Sequence, residues 1–131
     1  MSKGSVLLAE DDAATRTILS AVLKEAGYMP FAVTDGEECL TLYTRVRPRA
    51  ILLDIEMPNM NGLEVCQTIR QGHRDLSTPI IFVTAHGSRD DLTRAMQLGG
   101  TYFIVKPFTP GSFLEIFERC LGARSPASKA P

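Results

Sequence analysis

Five short apolar runs recur along the chain, and each stops at a polar residue or a turn. Val6-Leu7-Leu8-Ala9 ends at Glu10-Asp11-Asp12, Ala50-Ile51-Leu52-Leu53 at Asp54, Ile80-Ile81-Phe82-Val83 at Thr84, and Tyr102-Phe103-Ile104-Val105 at Lys106. Near-continuous runs of this kind, rich in β-branched and aromatic residues, predict strands buried on both faces. A fifth run over 28–33 also reads as a strand, but Pro30 has no N–H for a ladder, which assigns it to an edge of the sheet.

Between the runs the apolar spacing changes to that of helices. Ile18, Leu19, Val22, Leu23 and Ala26 lie on one helical face, and Gly27 supplies a stop. Thr34-Asp35-Gly36-Glu37 reads as a capping box opening a helix to about residue 46, with Pro48 closing it. A third helix is predicted over about 62–70, turning Leu63, Cys66 and Ile69 inward. The fourth is capped by Ser88, carries Leu92, Ala95, Met96 and Leu98, and ends at Gly99-Gly100. The fifth, about 110–121, buries Phe113, Leu114, Phe117 and Leu121. Residues 122–131 are small, polar and proline-bearing, and read as a disordered tail or the start of a linker.

Strands alternating with helices predict an α/β fold with a parallel sheet covered on both faces. Right-handed crossovers and the edge position of the second strand lead to a flavodoxin-like, doubly wound arrangement of order 2-1-3-4-5, flanked by five helices. Ligands of such sheets bind outside the carboxyl ends of the strands, at the switch point between strands 1 and 3. Glu10, Asp11 and Asp54 end those two strands.

A length of 131 residues fits one domain, and its 14 basic and 15 acidic residues nearly cancel. That balance provides no basic field for nucleic acid, so the expectation is no direct nucleic-acid binding. The apolar run after Met1 is too short for a signal peptide or a membrane span, which makes a cytoplasmic address the expectation. Cys39, Cys66 and Cys120 are widely separated and odd in number, as for buried reduced thiols, and His73 and His86 are isolated, as for solvated loop residues.

Taken singly, the polar strand ends have ordinary explanations as helix caps, turn residues and loop corners. Taken together, they place three carboxylates, a hydroxyl and an ammonium at one sheet edge. Converging carboxylates repel, and at least one pKa should rise unless a cation joins them. Magnesium suits such oxygen donors, with Asp54 and Asp11 binding it directly and Glu10 directly or through water; manganese is also compatible. Lys106 and Thr84 suit the oxygens of a phosphoryl group, and a carboxylate between metal and lysine can attack phosphorus.

Across residues 4–121 the sequence strongly resembles the response-regulator receiver domain of two-component signalling, the CheY-like family. The resemblance is carried by Val6 to Asp12 with Arg16, by Leu52-Leu53-Asp54 with Met57-Pro58 and Met60-Asn61-Gly62, by Pro79 to Ala85, and by Lys106-Pro107-Phe108. It implies that Asp54 is the phosphoacceptor and that Glu10 and Asp11 hold magnesium with Asp54 and the Glu56 backbone carbonyl. It further implies that Thr84 and Lys106 contact the phosphoryl group and that Lys106-Pro107 is a cis peptide. Thr84 and Phe103 would form the switch, and Glu56 and His86 would flank the water that hydrolyses the acyl phosphate and so tune its lifetime. The implied partners are a histidine kinase or phosphotransfer protein and a downstream protein or output domain. The latter would be met by a helix 4, strand 5 and helix 5 face with Arg89, Asp90, Arg94, Glu115, Glu118 and Arg119 exposed. Homodimerisation on phosphorylation is compatible with this, and the domain would be no enzyme beyond assisting its own phosphorylation and dephosphorylation.

Two departures stand out, Gly99-Gly100-Thr101-Tyr102 before the fifth strand and the absence of a hydroxyl on Phe103. A dehalogenase-like phosphatase would need Asp-x-Asp-x-Thr after the first strand. A flavodoxin-like carrier would need a phosphate loop there, which Glu10-Asp11-Asp12 would repel. The remaining alternative is a pseudo-receiver that only binds partners.

Overall fold

The computed structural model describes residues 2–85 and 87–122. Its strands are β1 (Ser5–Ala9), β2 (Met29–Val33), β3 (Ala50–Leu53), β4 (Ile80–Thr84) and β5 (Tyr102–Val105), all parallel in one sheet of order β2-β1-β3-β4-β5. This is the order expected from Pro30, which sits on edge strand β2 opposite Val6. The helices are α1 (Ala13–Glu25), α2 (Gly36–Val46), α3 (Gly62–Gln67), α4 (Arg89–Gln97) and α5 (Pro110–Gly122).

Alternate residues of the central strands feed two cores. Val6 and Leu8 join Leu52, Ile81 and Val83 under α1 and α5, where Leu19, Leu23, Phe113 and Phe117 are buried. Leu7 and Ala9 join Ile51, Leu53 and Phe82 on the other face, closed by Cys39, Val65, Cys66 and Ala95 from α2, α3 and α4. Burial on both faces explains why these strands read as unbroken apolar runs. The three cysteines are free and buried within these cores. No helix among the described residues is long and apolar enough to cross a membrane.

Several local features differ from the sequence expectations. The third helix changes at Thr68 into a π-helical turn, Thr68–Gly72, whose Ile69 enters the core. Arg70 is buried there, and its Nε and Nη1 donate to the Gly99 and Asp75 carbonyls at 3.0 and 2.9 Å. The cap of α2 is Asp35, which accepts from Glu38 N–H, while the Glu38 side chain reaches back to Thr34 N–H. Glu118 is half-buried instead of exposed, because Tyr28 Oη at 3.0 Å and Lys3 Nζ at 3.5 Å both donate to it. Ile18 and Leu92, although on apolar helical spacing, are 46% and 42% exposed. Gly122, assigned to the tail from sequence, is the last residue of α5; residues 123–131 and His86 lie outside the described residues.

Candidate functional site

Each residue that follows a strand remains tied to the neighbouring strand. Asp54 N–H donates to the Ala9 carbonyl at 3.0 Å, Glu10 N–H to Val33 at 3.0 Å, and Lys106 N–H to Thr84 at 2.8 Å. The ladder therefore extends one residue past β1, β3 and β5, and fixes the backbones of Glu10, Asp54 and Lys106 at one edge. The chain turns away from Asp54 sharply. Gly62 donates to Ile55 O at 2.9 Å, and its Cα lies so close to the Asp54 carbonyl that a Cβ would overlap it. Only glycine allows that approach.

One carboxylate oxygen each from Glu10, Asp11 and Asp54 lies within 4.8 Å of the others. Glu10 and Asp54 are buried, 1% and 6% exposed, whereas Asp11 faces solvent. Lys106 Nζ sits between the two buried carboxylates, 3.0 Å from Glu10 Oε1 and 3.2 Å from Asp54 Oδ2. Asp12 N–H donates to Glu10 Oε2 at 3.0 Å, and Glu56 N–H donates to Asp54 Oδ1 at 3.3 Å. Arg16 Nη1 holds the Glu10 carbonyl at 2.9 Å, and Asp12 caps α1 by accepting from Thr15 N–H at 2.9 Å.

One ammonium does not balance these carboxylates. Burial, followed by the hydrogen bond to Asp54, pushes the Glu10 carboxyl up to about 7 against the lowering effect of Asp12 N–H and Lys106. Burial by itself would lower the Lys106 pKa, but bonding to Glu10 and attraction from Asp54 raise it overall, so the lysine stays charged. A compact group of hard oxygen donors with excess negative charge and an exposed member fits a divalent cation that keeps part of its water.

The remaining expected residues are distributed around this centre. Thr84 ends β4 fully buried, and Phe103 is half-buried with its ring 6.1 Å from that of Phe82. Lys106-Pro107 is cis. Glu56 is exposed, two residues beyond Asp54, with its N–H on the Asp54 carboxylate. His86 falls outside the described residues. One contact absent from the sequence expectations is that of Asn59 with Asp35, 3.0 Å from Nδ2 to Oδ2, which ties the loop after Asp54 to the turn before α2. Asn59 in a Pro-Asn-Met-Asn-Gly stretch was the available signal, since asparagine tolerates the left-handed backbone it adopts at φ +69°.

The chain and its fold are similar to known proteins. The family model described as the response regulator receiver domain matches residues 6–118. A probable transcriptional regulator, ycf27 of Guillardia theta, is 40% identical over 109 residues, which are 83% of this chain and 42% of that protein. The DNA-binding response regulator MtrA of Mycobacterium tuberculosis is 34% identical over 105 residues, 80% of this chain and 45% of its own length. The chain thus spans less than half the length of these curated relatives. The structure of the chemotaxis response regulator CheY4 of Vibrio cholerae superimposes with a TM-score of 0.83 at 31% identity, covering 92% of this chain and 98% of that one.

Proposed function

The chain belongs to the response-regulator receiver domain family of two-component systems, and from that premise we propose that Asp54 accepts a phosphoryl group from a phosphohistidine on a histidine kinase or phosphotransfer protein. The observation that carries this reading is the site's unbalanced charge: two buried carboxylates share a single lysine, and Glu10 is raised to about 7. Such a centre is completed by a divalent cation and an incoming phosphoryl group.

In the transfer, an Asp54 carboxylate oxygen forms a bond to phosphorus as the donor's N–P bond breaks, and the electron pair goes to the departing imidazole nitrogen. Bound magnesium, or manganese, would neutralise developing charge on the phosphoryl oxygens. Glu10, Asp11 and Asp54, with the Glu56 backbone carbonyl, are the residues that would hold it. Lys106 is already at hydrogen-bond distance from Asp54 and can pass from that carboxylate to a phosphoryl oxygen without a large movement. Thr84 would donate its hydroxyl to another. Hydrolysis would reverse the state: water attacks phosphorus, the Asp54 O–P bond breaks, and carboxylate and inorganic phosphate are released. Glu56 and His86 are the side chains assigned to tuning that step. The domain acts on itself in both directions and turns over no separate substrate.

Phosphorylation adds charge and acceptor oxygens beside Thr84, and Phe103, packed next to Phe82, responds to the hydroxyl's new position. The readout is the face of α4, β5 and α5. It exposes Leu92, Tyr102 and Val105 beside Arg89, Arg94, Glu115 and Arg119, a mixed apolar and charged surface suited to a partner or output domain. A cytoplasmic location goes with this role. Incubation with magnesium and acetyl phosphate, followed by intact mass, tests the reading. The expected result is a labile gain of one phosphoryl group that Asp54→Asn abolishes. No gain from acetyl phosphate or from a kinase donor would leave an interaction module alone.

A further inference from the structure

The loop carrying Asp54 is tied to a turn that the mechanism above does not use. Asn59 Nδ2 donates to Asp35 Oδ2 at 3.0 Å, while the other Asp35 oxygen accepts from Glu38 N–H at 2.8 Å and so caps α2. One residue further on, the Met60 carbonyl rests against Gly36 so closely that a Cβ at that position would overlap it. The other end of the loop is closed on Asp54 itself through Gly62. The β2 to α2 turn is in turn fixed to the acidic strand end, because Glu10 N–H donates to the Val33 carbonyl at 3.0 Å. Both ends of the 55–61 loop therefore lie on the phosphoacceptor's own peptide, by chain connection and through Gly62, and its middle, Asn59 and Met60, is braced by Asp35 and Gly36.

We infer that Asn59 and Asp35 are positioning residues for the Asp54 centre, setting through this loop where the Asp54 carboxylate and the Glu56 backbone stand and hence how tightly the site holds magnesium. The inference rests on the reading of Asp54 given above. The hydrogen bond is exposed, and exposed bonds contribute little to global stability. Its effect belongs in the geometry of the site, as for groups that orient metal ligands from behind.

Three variants separate geometry from charge. Asn59→Gly removes the donor and tolerates the same backbone angle. Asn59→Asp sets a carboxylate against Asp35. The swap Asp35→Asn/Asn59→Asp restores a donor opposite an acceptor with the direction reversed, and asparagine still caps α2. Magnesium binding by calorimetry, the magnesium concentration for half-maximal labelling by acetyl phosphate, and the urea midpoint are measured for each. Asn59→Asp is expected to weaken magnesium binding by about tenfold, with Asn59→Gly weakened less, the swap recovering most of the loss, and the urea midpoints close to wild type. Added negative charge alone would tighten magnesium binding, so weakening identifies geometry as the cause. Unchanged or tighter binding in Asn59→Asp, or a swap that recovers nothing, overturns the inference while leaving Asp54 as phosphoacceptor. A wild type that takes up no phosphoryl group overturns that reading, and the role inferred for Asn59 and Asp35 falls with it.

Discussion

Two carboxylates anchor polar clusters at opposite ends of the sheet, and their surroundings have opposite character. Asp75, ahead of β4, accepts from Tyr43 Oη at 2.5 Å, Thr78 Oγ1 at 2.6 Å and the N–H groups of Ser77 and Thr78 at 3.0 Å. Burial alone would raise its pKa, but these donors outweigh burial and hold it well below the usual range. Asp54, after β3, shares one lysine with Glu10, and the neighbouring carboxyl is pushed up to about 7. The first cluster is complete, whereas the second requires something further. Concavity points the wrong way, because an open cleft of about 420 Å³ bordered by Tyr43, Arg47, His73 and Asp75 lies at the saturated end. A site is better recognised by unmet electrostatic demand than by the hollow beside it.

The largest effect expected at the unsaturated end, short of removing Asp54, comes from Lys106→Ala. Loss of a preorganised donor to a transferring group costs roughly 100-fold in rate, so phosphoryl uptake from acetyl phosphate at saturating magnesium should fall by about that factor. Uptake at the wild-type rate would remove Lys106 from the chemistry. At the saturated end the outcome should be reversed. Asp75→Ala strips acceptors from Tyr43, Ser77 and Thr78 and should cost about 2 kcal/mol in urea unfolding, while uptake by the folded protein stays unchanged. A slowed transfer in that variant would show the two ends to be coupled.

The two ends also differed in how plainly the sequence displayed them. Glu10, Asp54 and Lys106 interrupt apolar runs, and a parallel sheet of known order brings strand ends together, so the centre could be assembled from local pattern and topology. The edge position of β2 followed from Pro30 for the same reason. The Asp75 cluster has no such marker. Its donors come from α2 and from the two residues that precede Pro79, and only Asp75-x-Ser77-Thr78, a pattern able to bond its own backbone, hinted at it. The π-helical turn and buried Arg70 depend on where the Gly99 and Asp75 carbonyls fall in space, which no periodicity encodes. The burial of Glu118 likewise depends on Tyr28 and Lys3, each about 90 or more positions away in the chain.

The effect that is smallest per step, at most about 1.4 kcal/mol per pH unit, is also the sharpest discriminator, because the two carboxyls should respond to pH with opposite signs. The folded value of Asp75 lies below its ordinary 3.8, so the stability it lends is present above that value and lost as pH falls through the folded pKa. The folded value of Glu10, about 7, lies above its ordinary 4.5. The native state holds that proton more tightly than the unfolded chain, so its contribution is full below 4.5 and lost as pH rises through about 7. Without metal, urea stability should therefore decline across this window, and Glu10→Gln should flatten the decline. Magnesium competes with the same proton, so its affinity should climb with pH below about 7, by up to about tenfold per unit, with proton release on binding. A stability slope that persists in Glu10→Gln would assign the proton to another group. A magnesium affinity flat from pH 5 to 8 would mean that Glu10 is already ionised before the cation arrives, and the unmet demand that distinguishes this end of the sheet from the Asp75 end would have to reside in Asp11 and Asp54 alone.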